Sequence, residues 1–388
     1  MHAGPQTRRV HGSLVHAESR NLDTRHGAFA VDVFHDLAGR RSVLTISRGD
    51  VGSAPALLTS VHGACATSEC LGACDCDCAQ RLDAALGFIA AEGRGMLFYL
   101  MQEGRGASLA ARARSRMMVQ AVRDAITAAE AYDLMGIDRD LRGYDAVAFA
   151  RRLLGATAPL RLLSAASEQV AALERAGIDV AESVPCAPAL GCCAGSSAPR
   201  SETGAAGHSA GMPEAPEPTS YFDPQPLPDA PRFVLMASYW LPIAVEETAA
   251  PQWFRLHAYL DTGALAERLV LTRGSLREPL VRIQRDALLD RLAGDAAVAA
   301  KRDWLDVLRQ MVSHGGGCAV LLPPELEAVG PVLPDEAALA LVAHHVKGRR
   351  ACLLLDAPDA HVVQLDCADK LRRCGLTLEA PRVLGQAD

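Results

Sequence analysis

The segment VHGACATSECLGACDCDCAQRLDAAL, residues 61–86, decides how this chain is read. It carries five of the twelve cysteines, at positions 65, 70, 74, 76 and 78. Cys65, Cys76 and Cys78 form the pattern Cys-x10-Cys-x-Cys. Three soft thiolates with a fourth position left open is the arrangement of a catalytic zinc, which activates water near neutral pH. An apolar run ends just ahead of Cys65, and a helical pattern begins near Gln80. Cys65 therefore returns from a strand, while Cys76 and Cys78 flank one residue of a turn leading into a helix. Spacing alone leaves Cys70 and Cys74 open as further ligands. A four-thiolate structural site stands beside the three-thiolate catalytic one.

Outward from this segment, the composition sets bounds. A chain of 388 residues suggests two or three domains. With 49% hydrophobic and 22% charged residues it is globular in character. A net charge of −7 gives no footprint for a nucleic-acid polymer. No apolar run reaches the roughly 18 residues that span a bilayer. Residues 1–26 lack the apolar core of a secretory signal. The expected compartment is the cytoplasm, where clustered cysteines favour metal binding over disulfides. The expected partner is a small molecule, with no membrane involved.

Residues 194–228 are rich in Pro, Gly, Ser, Ala and Glu and carry no apolar period, the mark of a flexible linker. They divide the chain into an N-terminal extension (1–26), a first domain (27–193), the linker, and a second domain (229–388). The two domains read alike. Strands at 27–36 and 42–47 are matched by 253–262 and 268–273. Arg48-Gly49 matches Arg273-Gly274, residues 58–61 match 280–283, and a helix at 80–90 matches one at 303–312. Apolar strands at 96–99 and 319–322 follow, then 161–164 and 352–355, each with a helix behind it. This is a tandem duplication. Strands first and αβ alternation after them predict an α/β or α+β architecture with mixed sheets.

A second motif, Gln102-Glu-Gly-Arg-Gly106, follows the strand at 96–100. Its glycines let backbone amides approach an anion or a base closely. A charged surface turn is the plainer reading. Taken together, Val61-His-x-x-Cys65-x10-Cys-Asp-Cys78, the helix from Gln80, Ala91-Glu-Gly-Arg-Gly95 and Gln102-Glu-Gly-Arg105 strongly resemble GTP cyclohydrolase II. The likeness runs over about residues 27–186. Farther on, Asp140-Leu-Arg142 looks like that family's Asp-x-Arg catalytic segment. Without the resemblance, a surface ion pair would be preferred for these two residues.

The resemblance implies a mechanism. Arg142 attacks the α-phosphorus and releases pyrophosphate, with Asp140 as proton acceptor or orienting group. Mg²⁺ bridges the phosphates, and one Zn²⁺ activates the water that opens the imidazole ring at C8. A second hydrolysis then releases formate. Substrate contacts fall to Gln102, Glu103, Gly104, Arg105, Arg81 and Ser164. Several positions depart from the family's pattern. Ser60 and Ala64 replace an Arg and a Glu, and Arg81 replaces a Gln. Arg116 takes the place of a Tyr tied to ring hydrolysis and becomes a third catalytic candidate. The family's phosphate-binding Lys is absent from Ser164-Ala-Ala-Ser-Glu-Gln169. Arg112, Arg114 and Arg116 fall on a helix as either a new anion-binding group or a solvated basic face.

The second copy places Ala287, Ala299 and Lys301 where the first has its cysteines, and about Asp335 where the first has Arg142. Pro323-Pro-Glu-Leu-Glu327 replaces the Gly-rich turn, and the stretch matching 106–138 is nearly all missing. Arg282 and Asp286 keep charges that the first copy lost. The expected function is a zinc-dependent cyclohydrolase acting on a purine nucleotide, GTP first, in a specialised pathway. Alternatives are a ring-opening hydrolase for another nucleotide and a non-catalytic zinc-binding partner. The family is dimeric, so a homodimer and an intramolecular pseudo-dimer of the two copies both stand as expectations.

Overall fold

The computed structural model describes residues 10–11, 13–39, 41–164, 166–186, 211–214, 226–246, 250–285, 294–322, 336–348, 350–355 and 361–383. Most of the 194–228 segment lies outside them, as do Cys192, Cys193, Asp286, Ala287, residues 323–327 and Asp335.

The first half builds a sheet from β1 (Val10–His11), β2 (Leu14–Thr24), β3 (Gly27–Asp36), β4 (Arg41–Arg48), β5 (Leu57–Gly63), β6 (Gly95–Leu100), β7 (Leu160–Leu163) and β8 (Val180–Val184). Their order is β1-β2-β3-β4-β6-β5-β7-β8. Strands β2, β3, β4 and β6 pair antiparallel, whereas β6, β5, β7 and β8 pair parallel. Every residue of the central β6 is buried, as expected for a strand covered on both faces. Strand β2 lies ahead of the domain boundary expected at Gly27 and pairs with β3 along its whole length. Only three of its eleven residues are buried, so its apolar alternation is faint in the sequence.

Among its described residues the first half carries six helices: α1 (Ala66–Glu69), α2 (Cys78–Glu92), α3 (Leu109–Ala121), α4 (Ala128–Leu134), α5 (Tyr144–Leu153) and α6 (Ser167–Arg175). Helix α2 buries Leu82, Ala85, Leu86 and Ile89, the i, i+3, i+4, i+7 stripe of an amphipathic helix. It ends at Gly93, left-handed at φ 75°.

The second half repeats the plan. Its strands are β9 (Phe233–Ile243), β10 (Gln252–Asp261), β11 (Ala266–Gly274), β12 (Leu280–Arg285), β13 (Gly316–Leu322), β14 (Arg350–Leu355), β15 (Thr377–Leu378) and β16 (Arg382–Val383). The order β9-β10-β11-β13-β12-β14-β15 reproduces the first sheet strand for strand from β2 onward, including the switch from antiparallel to parallel. Three helices accompany it: α7 (Gly294–His314), α8 (Glu336–His345) and α9 (His361–Arg373). One detail recurs at the same place in both halves. Gly49 and Gly274 are both left-handed, and a Cβ on either would collide with the carbonyl of a glycine closing the helix opposite, Gly93 or Gly315.

Helix α3 belongs to the first half but packs on the second sheet. Leu109, Ala113 and Met117 share one core with Tyr239, Leu241, Phe254, Leu256 and Trp304. Trp304, Val307, Leu308 and Met311 of α7 lie in the same core. None of the helices in the described residues is long and apolar enough to cross a membrane.

The second core contains a pH-sensitive element. The Tyr259 hydroxyl and the His345 Nε2 lie 2.9 Å apart in its interior. Burial, reinforced by the neighbouring His344, pushes the His345 pKa down to about 3. The folded state thus binds this proton less readily than the unfolded chain, whose His titrates near 6.5. The associated stability is complete above about pH 6.5 and is lost as the pH falls toward 3. At about 1.4 kcal/mol per pH unit, roughly 2 kcal/mol is lost by pH 5. Urea unfolding at pH 7 and pH 5 should show a decrement in the wild type that is smaller in His345→Gln, where the neighbouring buried His257 still resists protonation. Equal pH slopes for the two proteins would refute the assignment.

Candidate metal and catalytic site

The site lies where the parallel strands end. Cys65 follows β5 and stands at the N-cap of α1. Cys78 opens α2 behind the N-cap Asp77, where the helix dipole favours a thiolate. Cys76 lies between them on the turn. All three are buried, and their sulfurs lie within 4.8 Å of one another. The sulfurs of Cys65 and Cys76 are 3.7 Å apart. Thiolates about 2.3 Å from a tetrahedral ion lie about 3.8 Å from each other, so the trio fits zinc. Cys70 and Cys74 point elsewhere. Cys70 packs against the α3 core, and the Cys74 thiol lies 3.8 Å from the Gly72 carbonyl.

The electrostatics single out one sulfur. Hydrogen bonds from the Cys65 and Cys78 thiols hold the Cys76 pKa well below that of an ordinary thiol, aided by Arg112 and Arg116. The other two are pushed up, Cys65 chiefly by burial and Cys78 chiefly by its bonds to Cys65 and Cys76. Of the three thiols, Cys76 is the one that its surroundings favour as thiolate.

Arg112 and Arg116, four residues apart on one face of α3, turn toward this centre and not toward solvent. The Arg112 fork donates to the Cys65 sulfur at 2.9 Å and to the Cys76 sulfur at 3.1 Å. Arg116 pairs with Asp75 at 3.3 Å, both side chains 4% exposed. Arg114, on the other side, donates to the Met236 carbonyl. The helix therefore presents no solvated basic face. Its counter-charges come from the cysteine loop, which is why periodicity alone does not disclose them. Arg105, Arg112, Arg116, Tyr132 and Arg139 line a pocket between the Gly-rich turn, α3 and α4.

The Gly-rich turn forms the next layer. Gly104, Arg105 and Gly106 are all left-handed. A Cβ at Gly106 would collide with the Leu141 backbone, so only glycine lets the turn press against the Asp140–Arg142 segment. Glu103 accepts the Ala66 amide at 2.6 Å, gripping α1 beside Cys65. Gln102 accepts from the Gly143 amide at 2.9 Å and from Arg41 at 3.2 Å.

Asp140 takes a bidentate bond from Arg142, at 2.9 and 2.5 Å, and a third from the Tyr144 hydroxyl at 2.7 Å. Burial opposes its charge, but Arg142 prevails and holds the Asp140 pKa down. Burial, the Asp140 charge and the hydrogen bond to it drive the Tyr144 phenol up, although Arg142 opposes them. A Cβ at Gly63 would touch the Arg142 side chain at 3.4 Å, so the Asp-x-Arg segment abuts the strand end two residues before Cys65.

Two residues expected at the site have other contacts. Arg81 is half-exposed and pairs with Asp77 at 2.9 Å. Ser164 accepts the Ala166 amide at the end of β7. Sequence reading passed over Asp75, Glu69, Tyr99, Tyr144 and Arg41. Glu69 is buried between His62, at 2.8 Å, and the Tyr99 hydroxyl, at 2.6 Å. Its signal was an acidic residue inside the cysteine run, one helical turn after Cys65.

The fold and the site define a mixed-sheet α/β protein with a buried three-thiol centre beside an Asp–Arg pair. The family model for GTP cyclohydrolase II matches residues 15–185. The chain is 37% identical over 173 residues to the GTP cyclohydrolase-2 of Azotobacter vinelandii, covering 45% of this chain and 81% of that one. It is 34% identical over 173 residues to that of Hahella chejuensis, covering 45% and 82%. It is also 34% identical over 179 residues to the riboflavin biosynthesis protein RibBA of Bacillus mycoides, covering 46% and 44%. The chain belongs to the GTP cyclohydrolase II family.

Proposed function

We propose that the first half is a zinc-dependent cyclohydrolase that opens the imidazole ring of a purine nucleotide, GTP foremost. The observation that carries the reading is the approach of the Arg142 side chain to Gly63, near enough that a Cβ there would touch it, which brings the Asp140–Arg142 pair to the strand end that leads to Cys65 of the three-thiol centre. Cys65, Cys76 and Cys78 would hold the ion. Zinc there supplies a Lewis acid that activates water at neutral pH. Asp140 orients Arg142 by its bidentate bond and takes the proton that the guanidinium loses on attacking the α-phosphorus. Glu103 keeps Cys65 in place through α1, and Gln102 fixes the turn that carries Arg142. Arg105 and Arg116, in the wall of the adjacent pocket, offer charge to the substrate. Mg²⁺ accompanies the phosphates.

The second half is a degenerate copy of the first, a reading supported by the repeated strand order. Its seam with α3 supports reading the chain as an intramolecular pseudo-dimer. A non-catalytic zinc protein is the second reading. It draws on Gln102 and Glu103, whose side chains are engaged within the protein.

Zinc-loaded protein incubated with Mg²⁺ and each nucleoside triphosphate in turn, read by mass spectrometry, separates the two. Pyrophosphate together with a ring-opened nucleotide is the expected result. Every nucleotide recovered intact would leave only the non-catalytic reading.

A further inference from the structure

Helix α3 joins the two halves. Its apolar side, Leu109, Ala113 and Met117, lies in the core of the second half. Its other side carries Arg112 onto Cys65 and Cys76, and Arg116 onto Asp75. A helix between two bodies transmits the placement of one to the other only if its ends are held, and here both are.

At the N-terminus, the first amides of a helix have no partner within it. The Glu267 carboxylate from β11 takes two of them, Leu109 at 2.9 Å and Ala110 at 2.8 Å, one on each oxygen. The Ser108 hydroxyl takes Ala111. A carboxylate there also gains from the helix dipole. At the C-terminus, the Gln120 side chain bonds both backbone groups of Trp240, at 2.6 and 2.9 Å. Along the seam, Tyr239 of β9 is buried and lies within electrostatic reach of Cys65, Asp75, Arg112 and Arg116. The seam thus extends to the thiol centre itself.

We infer that Glu267, a residue of the degenerate half, is a positioning residue for the metal site: it fixes α3 so that the Arg112 fork lies over the Cys65 and Cys76 sulfurs. The degenerate half then has a task in the chemistry of the other half, although none of the three thiols belongs to it. The inference rests on the metal reading proposed above. Hydrogen bonds to coordinated sulfur set both the orientation of the ligand and the charge it passes to the ion, and losing such a partner costs about 10–100-fold in metal affinity.

The test is a cobalt(II) titration of the full-length protein, following the thiolate-to-cobalt absorption bands. Glu267→Ala should weaken cobalt binding by about tenfold or more and shift the ligand-field bands. Glu267→Gln, which keeps one acceptor oxygen in place and folds if Ala does not, should fall between Ala and the wild type. Tyr259→Phe serves as the control, because it removes a buried hydrogen bond from the far core of the second half without touching α3. It should lower the melting temperature and leave the cobalt spectrum unchanged. If both Glu267 variants keep wild-type affinity and bands while losing only thermal stability, Glu267 is merely structural and the inference fails. If the wild type shows no thiolate–cobalt band, the metal reading itself fails and takes this one with it.

Discussion

Cys76→Ala should weaken metal binding by about 100-fold and abolish ring opening. Cys76 lies 3.7 Å from Cys65 and receives one arm of the Arg112 fork, and its thiol is the one held most strongly as thiolate. Cysteine–zinc sites bind with about 10 kcal/mol or more. If three thiolates share this evenly, losing one costs about 3 kcal/mol, or roughly 100-fold in affinity. The loss also leaves the buried Arg112 with one sulfur in place of two. Ring opening should fall to background at any zinc level the protein tolerates. Cys74→Ala is the informative contrast. Its thiol faces the Gly72 carbonyl, away from the trio, and its removal should leave zinc content and turnover unchanged. Zinc content by elemental analysis and formate release, measured on both variants, decide the matter. A fully active Cys76→Ala protein would refute the ligand assignment.

Arg142→Ala should reduce pyrophosphate release by about 10³-fold or more, the scale expected when a covalent nucleophile is removed. Metal content should be untouched, since none of the contacts described for Arg142 reaches a thiol. Arg142→Lys should not rescue. Lysine keeps the charge but cannot reproduce the two parallel bonds to Asp140, and its reach ends elsewhere. The buried Asp140 then keeps the Tyr144 hydroxyl as a donor, so the protein should still fold. Pyrophosphate release at the wild-type rate from Arg142→Ala would show that this side chain is an ion-pair partner and nothing more.

The cysteine trio was legible because its spacing is a local property. Ten residues after Cys65 and one after Cys76 place thiols on a strand end, a turn and a helix start, and the structure brings those three sulfurs together. The repeat was legible because strands 27–36 and 253–262, or 96–99 and 319–322, carry their apolar pattern within themselves. What sequence reading missed is non-local. For Arg112 and Arg116 the sequence left an anion-binding group and a solvated basic face both open, because their partners Cys65, Cys76 and Asp75 lie some forty residues earlier. Glu267 is one acidic residue on a strand, more than 150 residues from the helix it caps. Strand β2 escaped because few of its residues are buried. Helix α2 runs two residues past each end of the expected 80–90, since its caps are Asp77 and Gly93.

The proposed chemistry depends on the coordination around the ion, and X-ray absorption at the zinc edge of the loaded protein measures it directly. The prediction is three sulfurs at about 2.3 Å and one lighter atom completing a tetrahedron. Four sulfurs would make the site a closed structural one. A shell of nitrogen and oxygen alone would mean that Cys65, Cys76 and Cys78 do not hold the metal at all.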